Sequence, residues 1–165
     1  MPQKAVLFKG TLRENMQFKK EDATDDEIYA AIDDSCSRDF VDKLKGGLDA
    51  QIEQDGKNVS GGQKQRLSIA RAVNVNPHIL IFDDSFSALD YKTDRQVREN
   101  LKNSTAYATK VIVAQRIGTI MDADRILVLS KGKIVGDGKH SELLRSCDEY
   151  REIALSQLTK EELGL

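Results

Sequence analysis

The sequence predicts an α/β protein in which a helical segment precedes a parallel sheet flanked by helices. Three short apolar runs carry most of that prediction: Ile-Leu-Ile-Phe at 79–82, Val-Ile-Val-Ala at 111–114 and Ile-Leu-Val-Leu at 126–129. Residues 91–103, between the first two, read as a polar, amphipathic helix. Runs apolar on both faces and separated by helices belong to a parallel sheet covered on both sides. What precedes them differs in kind: residues 19–49 hold 10 acids against 5 bases, with Ile28, Ala31 and Ile32 at helical spacing.

Each element has a local reason. Thr24 is an N-cap, and Asp25, Asp26 and Glu27 follow in the first turn, where the helix dipole favours negative charge. A shorter helix over 37–43 stops before Gly46 and Gly47. Ser60 caps a helix running through Arg71, and Pro77 and Asp83-Asp84 bound the first strand. Ser-Lys-Gly-Lys at 130–133 turns the third run back into Ile134 and Val135 as a hairpin at the sheet edge. Helices over 141–146 and 149–157 close the chain. The organisation is a helical part, 1–77, and an α/β part, 78–165.

Composition excludes several classes. The 165 residues suit one domain with a sizeable core. No apolar run approaches the roughly 20 residues of a membrane-spanning helix, and the start lacks a signal peptide's apolar core. Cys36 and Cys147 are too few and too far apart for a disulfide framework or a zinc site, which points to a reducing, cytoplasmic setting. A net charge of -2 and 5% aromatic residues argue against nucleic acid as a partner.

Two features could carry chemistry. In Val-Ser-Gly-Gly-Gln at 59–63, two glycines let a ligand approach the start of a Ser-capped helix, whose free N–H groups form an anion site. Residues 79–85 end a strand in Asp83-Asp84-Ser85, and ligands of parallel α/β sheets sit beyond the carboxyl ends of strands. A carboxylate there can hold Mg²⁺. Taken singly, the first is also an ordinary capped helix and the second an ordinary polar turn.

Their order along the chain is more specific. Pro2-Gln3, then LFKGTLREN, VSGGQKQRLSIARA, ILIFDD, SALD, VIVAQRIGTI and ADRILVLSKGKIVGDGKHSELL follow one another from about Pro2 to Gln157. In that order the chain resembles the nucleotide-binding domain of an exporter-type ATP-binding cassette (ABC) transporter. The resemblance implies an incomplete ABC ATPase fold of the P-loop NTPase type, beginning at the Q-loop. It implies ATP and Mg²⁺ as cofactors. Gln3 then matches the glutamine that contacts the metal and the attacking water and couples to the membrane domain. Ser60, Gly61, Gly62 and Gln63 match the signature that meets the γ-phosphate. Asp83 would assist Mg²⁺, Asp84 stands at the catalytic glutamate position, and Gln115 at the switch histidine. Residues 87–90, ending in Asp90, match the D-loop at the dimer interface. Residues 51–56 lie where exporters read the coupling helices, and His140 belongs to a structural tail.

Three departures qualify the resemblance. No Gly-x-x-x-x-Gly-Lys-[Ser/Thr] occurs, and residues 132–139 only imitate one. Asp84 is one methylene shorter than the family's glutamate, and a general base must reach its proton before its pKa matters. Gln115 cannot carry charge as a histidine can. Together they imply one degenerate half of a heterodimer. Its signature completes the site of a second nucleotide-binding domain, and the parent works at the cytoplasmic face of a membrane with its transmembrane domain. The chain alone is expected to be inactive, and to oligomerise through an exposed edge of the 79–82 strand. Two rival readings are a non-enzymatic interaction module and a soluble, non-transporting ABC ATPase. The second lacks the long heptad arms it would need.

Overall fold

The computed structural model describes residues 1–164 and divides into two compact units, Met1–Val113 and Ala114–Leu165. The first unit begins with a two-stranded antiparallel ribbon, β1 (Gly10–Thr11) with β2 (Gln51–Ile52). Helices α1 (Leu12–Gln17), α2 (Asp25–Asp34) and α3 (Arg38–Val41) lie between these strands in sequence. Helix α4 (Gly61–Val73) leads to β3 (Ile79–Asp83), then α5 (Tyr91–Ser104) and β4 (Thr109–Val113). Residue 77 lies in the connection between α4 and β3.

Two apolar clusters fill the first unit, and α4 serves both. Leu67 and Ala70 join Leu7, Leu12, Met16, Ile28, Ile32 and Ile52 in one cluster. Ile69 and Val73 join Leu80, Phe82, Phe86, Leu89, Val97 and Leu101 in the other. Each fully buried aliphatic side chain contributes about 1.5–3 kcal/mol. A helix apolar on two sides is thereby held from both, which fixes where its N-terminus points.

The segment that carries Gln3 is anchored by polar contacts to these helices. The buried Asn15 side chain accepts from the Phe8 N–H at 2.8 Å and donates to the Phe8 and Thr11 carbonyls at 2.9 and 3.0 Å. Arg71 donates to the Val6 carbonyl at 2.7 Å and lies over the Phe8 ring. Helix α1, which hydropathy spacing alone does not announce, is closed by a Thr11–Glu14 capping box.

Strands β3 and β4 pair in parallel, from Ile79 opposite Thr109 to Asp83 opposite Val113. The sheet differs from expectation in three ways. Only one of its faces is covered: Leu80 and Phe82 are buried, whereas Ile79 and Ile81 are 62% and 53% exposed. Helices α4 and α5 supply residues to the covered face, while Val111 and Val113 of β4 are exposed like Ile79 and Ile81. The third apolar run does not extend this sheet. It forms β5 (Ile126–Ser130), which pairs antiparallel with β6 (Lys133–Gly138) in the second unit. Finally, the free edge of β3 is closed near Asp83, where Met1 donates its amine to the Ile81 carbonyl and accepts from the Asp83 N–H.

The second unit adds α6 (Ile117–Ile120), α7 (His140–Ser146), α8 (Asp148–Gln157) and α9 (Lys160–Leu163) to the hairpin. Its core holds Ile117, Ile126, Val128, Leu143, Leu144, Tyr150 and Ala154. Strand β6 lies close to the helices because Gly136 has no side chain. A Cβ there would stand 2.9 Å from Cys147 Sγ. Residues 132–139, the phosphate-loop imitation, are this turn and strand.

Candidate functional site

The site begins at the N-terminus of α4. Ser60 is extended, its hydroxyl accepts from the Gln63 N–H at 3.3 Å, and the Gln63 side-chain Oε1 accepts from the Ser60 N–H at 2.9 Å. This capping box leaves the N–H groups of Gly61 and Gly62 at the open end of the helix dipole. A Cβ on Gly61 would meet nothing within 4 Å, and one on Gly62 would make an ordinary 3.6 Å contact with the Ala88 carbonyl. Packing within the chain therefore does not demand either glycine. What their smallness provides is clearance in front of the N–H groups.

Charge sets this start apart from the other helices closed by a capping box. The boxes at Thr11, Thr24 and Thr159 close with Glu14, Glu27 and Glu162. The Ser60 box closes with the neutral Gln63, and the first turn of α4 holds no acid. The dipole is left uncompensated, as an anion ligand requires.

The second element is the carboxyl end of β3. Asp83 is exposed, and among the described residues its carboxylate makes no hydrogen bond or ion pair. Asp84 follows with φ 48, in the left-handed region that Asp tolerates better than most residues. Its N–H donates to the Val113 carbonyl at 2.9 Å, and the Ser87 hydroxyl donates to its carbonyl at 2.8 Å. Gln3 Nε2 donates to Asp84 Oδ2 at 3.2 Å, joining two sequence-predicted site residues that lie 81 positions apart.

Asp90 has a structural task. It caps α5, accepting from the Thr93 hydroxyl at 2.7 Å and the Thr93 N–H at 3.0 Å, and these bonds hold its carboxyl below its usual pKa. Sequence reasoning missed Gln65. Its buried amide donates to the Ser85 carbonyl at 2.6 Å, joining α4 to the turn that starts with Asp84. The signal was present: Gln65 shares the i, i+4 stripe of Ile69 and Val73, so a polar group sits on a buried apolar face.

Gln115 belongs to the second unit, where it is exposed. Its turn is clipped by Gln157, which donates to the Gln115 carbonyl at 2.8 Å and accepts from the Ile117 N–H at 2.9 Å. His140 Nδ1 lies 2.8 Å from the Tyr150 hydroxyl, and partial burial lowers the pKa of the ring. Residues 51–56 form β2 and a single helical turn, with Gln51, Glu53, Gln54 and Asp55 exposed.

The donor set fits part of a magnesium nucleotide. Asp83 offers a free carboxylate and Gln3 an amide oxygen, and Mg²⁺ takes one or two protein oxygens together with phosphate oxygens. Among the described residues no group of three or more His, Cys, Asp or Glu could hold a metal alone. The helix start suits a terminal phosphate.

The start of α4 and the turn after β3 are joined through the Gln65–Ser85 bond. The chain superposes on a bacterial Atm1-family ABC exporter with ATP bound at a TM-score of 0.87 and 36% identity, over 92% of this chain and 27% of that one. The ABC transporter family profile matches residues 1–87, and the chain belongs to that family. It is 44% identical to the uncharacterized ABC transporter ATP-binding protein YfiB of Bacillus subtilis over 98% of its own length and 28% of that protein's. It is also 44% identical to ABC transporter B family member 21 of Arabidopsis thaliana, over 96% of the chain and 12% of the relative. The chain thus spans about a quarter or less of the proteins it matches. It holds part of the ABC exporter ATPase fold. No helix among the described residues is long and apolar enough to cross a membrane.

Proposed function

We propose that this chain is the C-terminal portion of an ABC exporter's nucleotide-binding domain, and that it works on ATP mainly by completing a partner's site. The observation that carries this reading is the α4 start: a formed capping box, two exposed glycines and no acid in the first turn. Ser60, Gly61 and Gly62 would meet the terminal phosphate of ATP held by a second nucleotide-binding domain. In the chain's own site, bound ATP would supply the phosphoryl group and Mg²⁺ its charge neutralisation, with Asp83 and Gln3 as the oxygen donors.

The chain's own site would be slow. Asp84 stands at the general-base position with its carboxylate accepting from Gln3, and Gln115 offers no titratable group at the switch position. A heterodimer whose partner holds the competent Walker motifs follows, with the transmembrane domain of the same transporter as the second partner. The subdomain reading, 1–77 as the signature part and 78–165 as the α/β part, goes with this assignment. Residues 51–56 would meet the coupling helices.

The test is steady-state ATPase of the assembled transporter with Ser60→Arg or Asp84→Ala. Losing a preorganised donor typically costs about 10²–10³ in rate, so Ser60→Arg should fall by at least that much while Asp84→Ala stays near wild type. The isolated 165-residue chain, assayed alongside, should show background turnover. Full activity in Ser60→Arg with none in Asp84→Ala would refute the asymmetric reading.

A further inference from the structure

The turn after β3 and the start of α4 are joined by one buried polar contact. Gln65 is 4% exposed and Ser85 is 0% exposed, and the Gln65 amide donates to the Ser85 carbonyl at 2.6 Å. Ser85 directly follows Asp84, and Gln65 stands five positions after Ser60. Around this bond the two segments are also packed together. Phe86 and Leu89 of the turn share a cluster with Ile69 and Val73 of α4, and the Gly62 Cβ position faces the Ala88 carbonyl at 3.6 Å.

Apolar contacts allow a helix to slide or rotate by a fraction of an ångström at little cost, because they are non-directional. A short hydrogen bond from a side-chain amide to one main-chain carbonyl does not, and leaving that buried carbonyl unpaired is costly. We propose that Gln65 is a positioning residue: through Ser85 it sets the axial and rotational position of α4, and so where Ser60, Gly61 and Gly62 present their donors. The same bond makes the signature start and the Asp84 turn move as one piece, so a displacement at either reaches the other. This inference rests on the reading of Ser60 to Gly62 as the phosphate-facing end.

The test has two arms in the assembled transporter. In the nucleotide-free state, amide hydrogen exchange in Gln65→Met should quicken together in segments 60–65 and 85–90, with the rest of the unit unchanged. In steady-state ATPase, Gln65→Met should lose about 10- to 100-fold in kcat with KM unchanged, the scale of a small misplacement of preorganised groups. Gln65→Glu provides a readout that mere structural damage would not give. Its carboxylate cannot donate to Ser85, whereas its protonated form can, so its kcat should recover as pH falls relative to wild type. If Gln65→Met does not assemble, that pH profile decides alone. Wild-type kcat and exchange in Gln65→Met, or a flat profile in Gln65→Glu, would overturn the proposal while Ser60→Arg remains inactive. An active Ser60→Arg would instead overturn the reading of the phosphate-facing end.

Discussion

Helices α2 and α4 start with the same device and end up with opposite electrostatics. Both have a hydroxyl N-cap whose oxygen accepts from the N3 amide, and an N3 side chain that returns the bond. In α2 the N3 residue is Glu27, preceded by Asp25 and Asp26, so the dipole is neutralised internally and the helix is finished. In α4 it is Gln63, preceded by Gly61 and Gly62, so the hydrogen bonds are complete while the charge and the space are left open. A capping box therefore separates two jobs. Satisfying the backbone serves folding, and the charge and bulk of the first turn decide whether an anion can dock.

Gln63→Glu attacks that distinction directly and has the largest expected effect. It keeps the box and converts the α4 start into an α2-like start. ATP turnover of the assembled transporter should fall by about 10²-fold, the scale of a lost preorganised donor. Thermal melting of the same variant should not fall, since an acid at N3 favours the helix. A variant that loses stability and activity in parallel would erase the contrast.

Thr24→Ala tests the other side, where the cap serves folding alone. Loss of the hydroxyl should destabilise the first unit by about 0.5–2 kcal/mol, read as a lower denaturation midpoint, with kcat unchanged. A drop in kcat without a stability change would show that α2 takes part in function.

Glu27→Gln should have the smallest effect and sharpens the electrostatic half of the comparison. The Glu27 carboxyl is held below its ordinary value of 4.5, first by Lys20 and then by the Thr24 N–H. A depressed pKa means that its contribution is present above about 4.5 and is lost as pH falls through the folded value. Wild type should therefore melt slightly above Glu27→Gln at neutral pH and decline more steeply below pH 4.5, the two converging in acid. Equal slopes would mean that Lys20 and Thr24 do not hold the carboxylate in solution.

Much of the site was legible because its parts are local. A Ser-Gly-Gly-Gln stretch before an apolar-periodic segment specifies its own cap, and the structure shows that cap bond for bond. Asp90 was legible as a residue of interest through the resemblance, and its place directly before the 91–103 helix was the signal for its task as the cap of α5. Gln65 stands on the Ile69–Val73 stripe, but spacing along one helix does not name the Ser85 carbonyl, 20 positions away, that it meets.

Residues three or four apart, and the apolar runs, were enough to determine the starts of α2, α4 and α5, the strands β3 to β5 and the α/β class. Hydrogen bonds within a turn and side-chain periodicity do not need the rest of the molecule. Partnership did need it. The turn at 130–133 announced the hairpin of the 126–129 run, but the sequence could not say that this hairpin forms a sheet of its own instead of extending β3 and β4, because strand runs of equal hydrophobicity compete for the same edges. Nor could it say that Ile79 and Ile81 face outward, because apolar character marks a surface that can be buried without saying what covers it. The approach of Gln3 to Asp84, and of Gln65 to Ser85, was likewise decided only when packing brought distant backbone together. The buried Gln65–Ser85 bond pairs groups that burial would otherwise strand, and which groups are buried depends on the finished core.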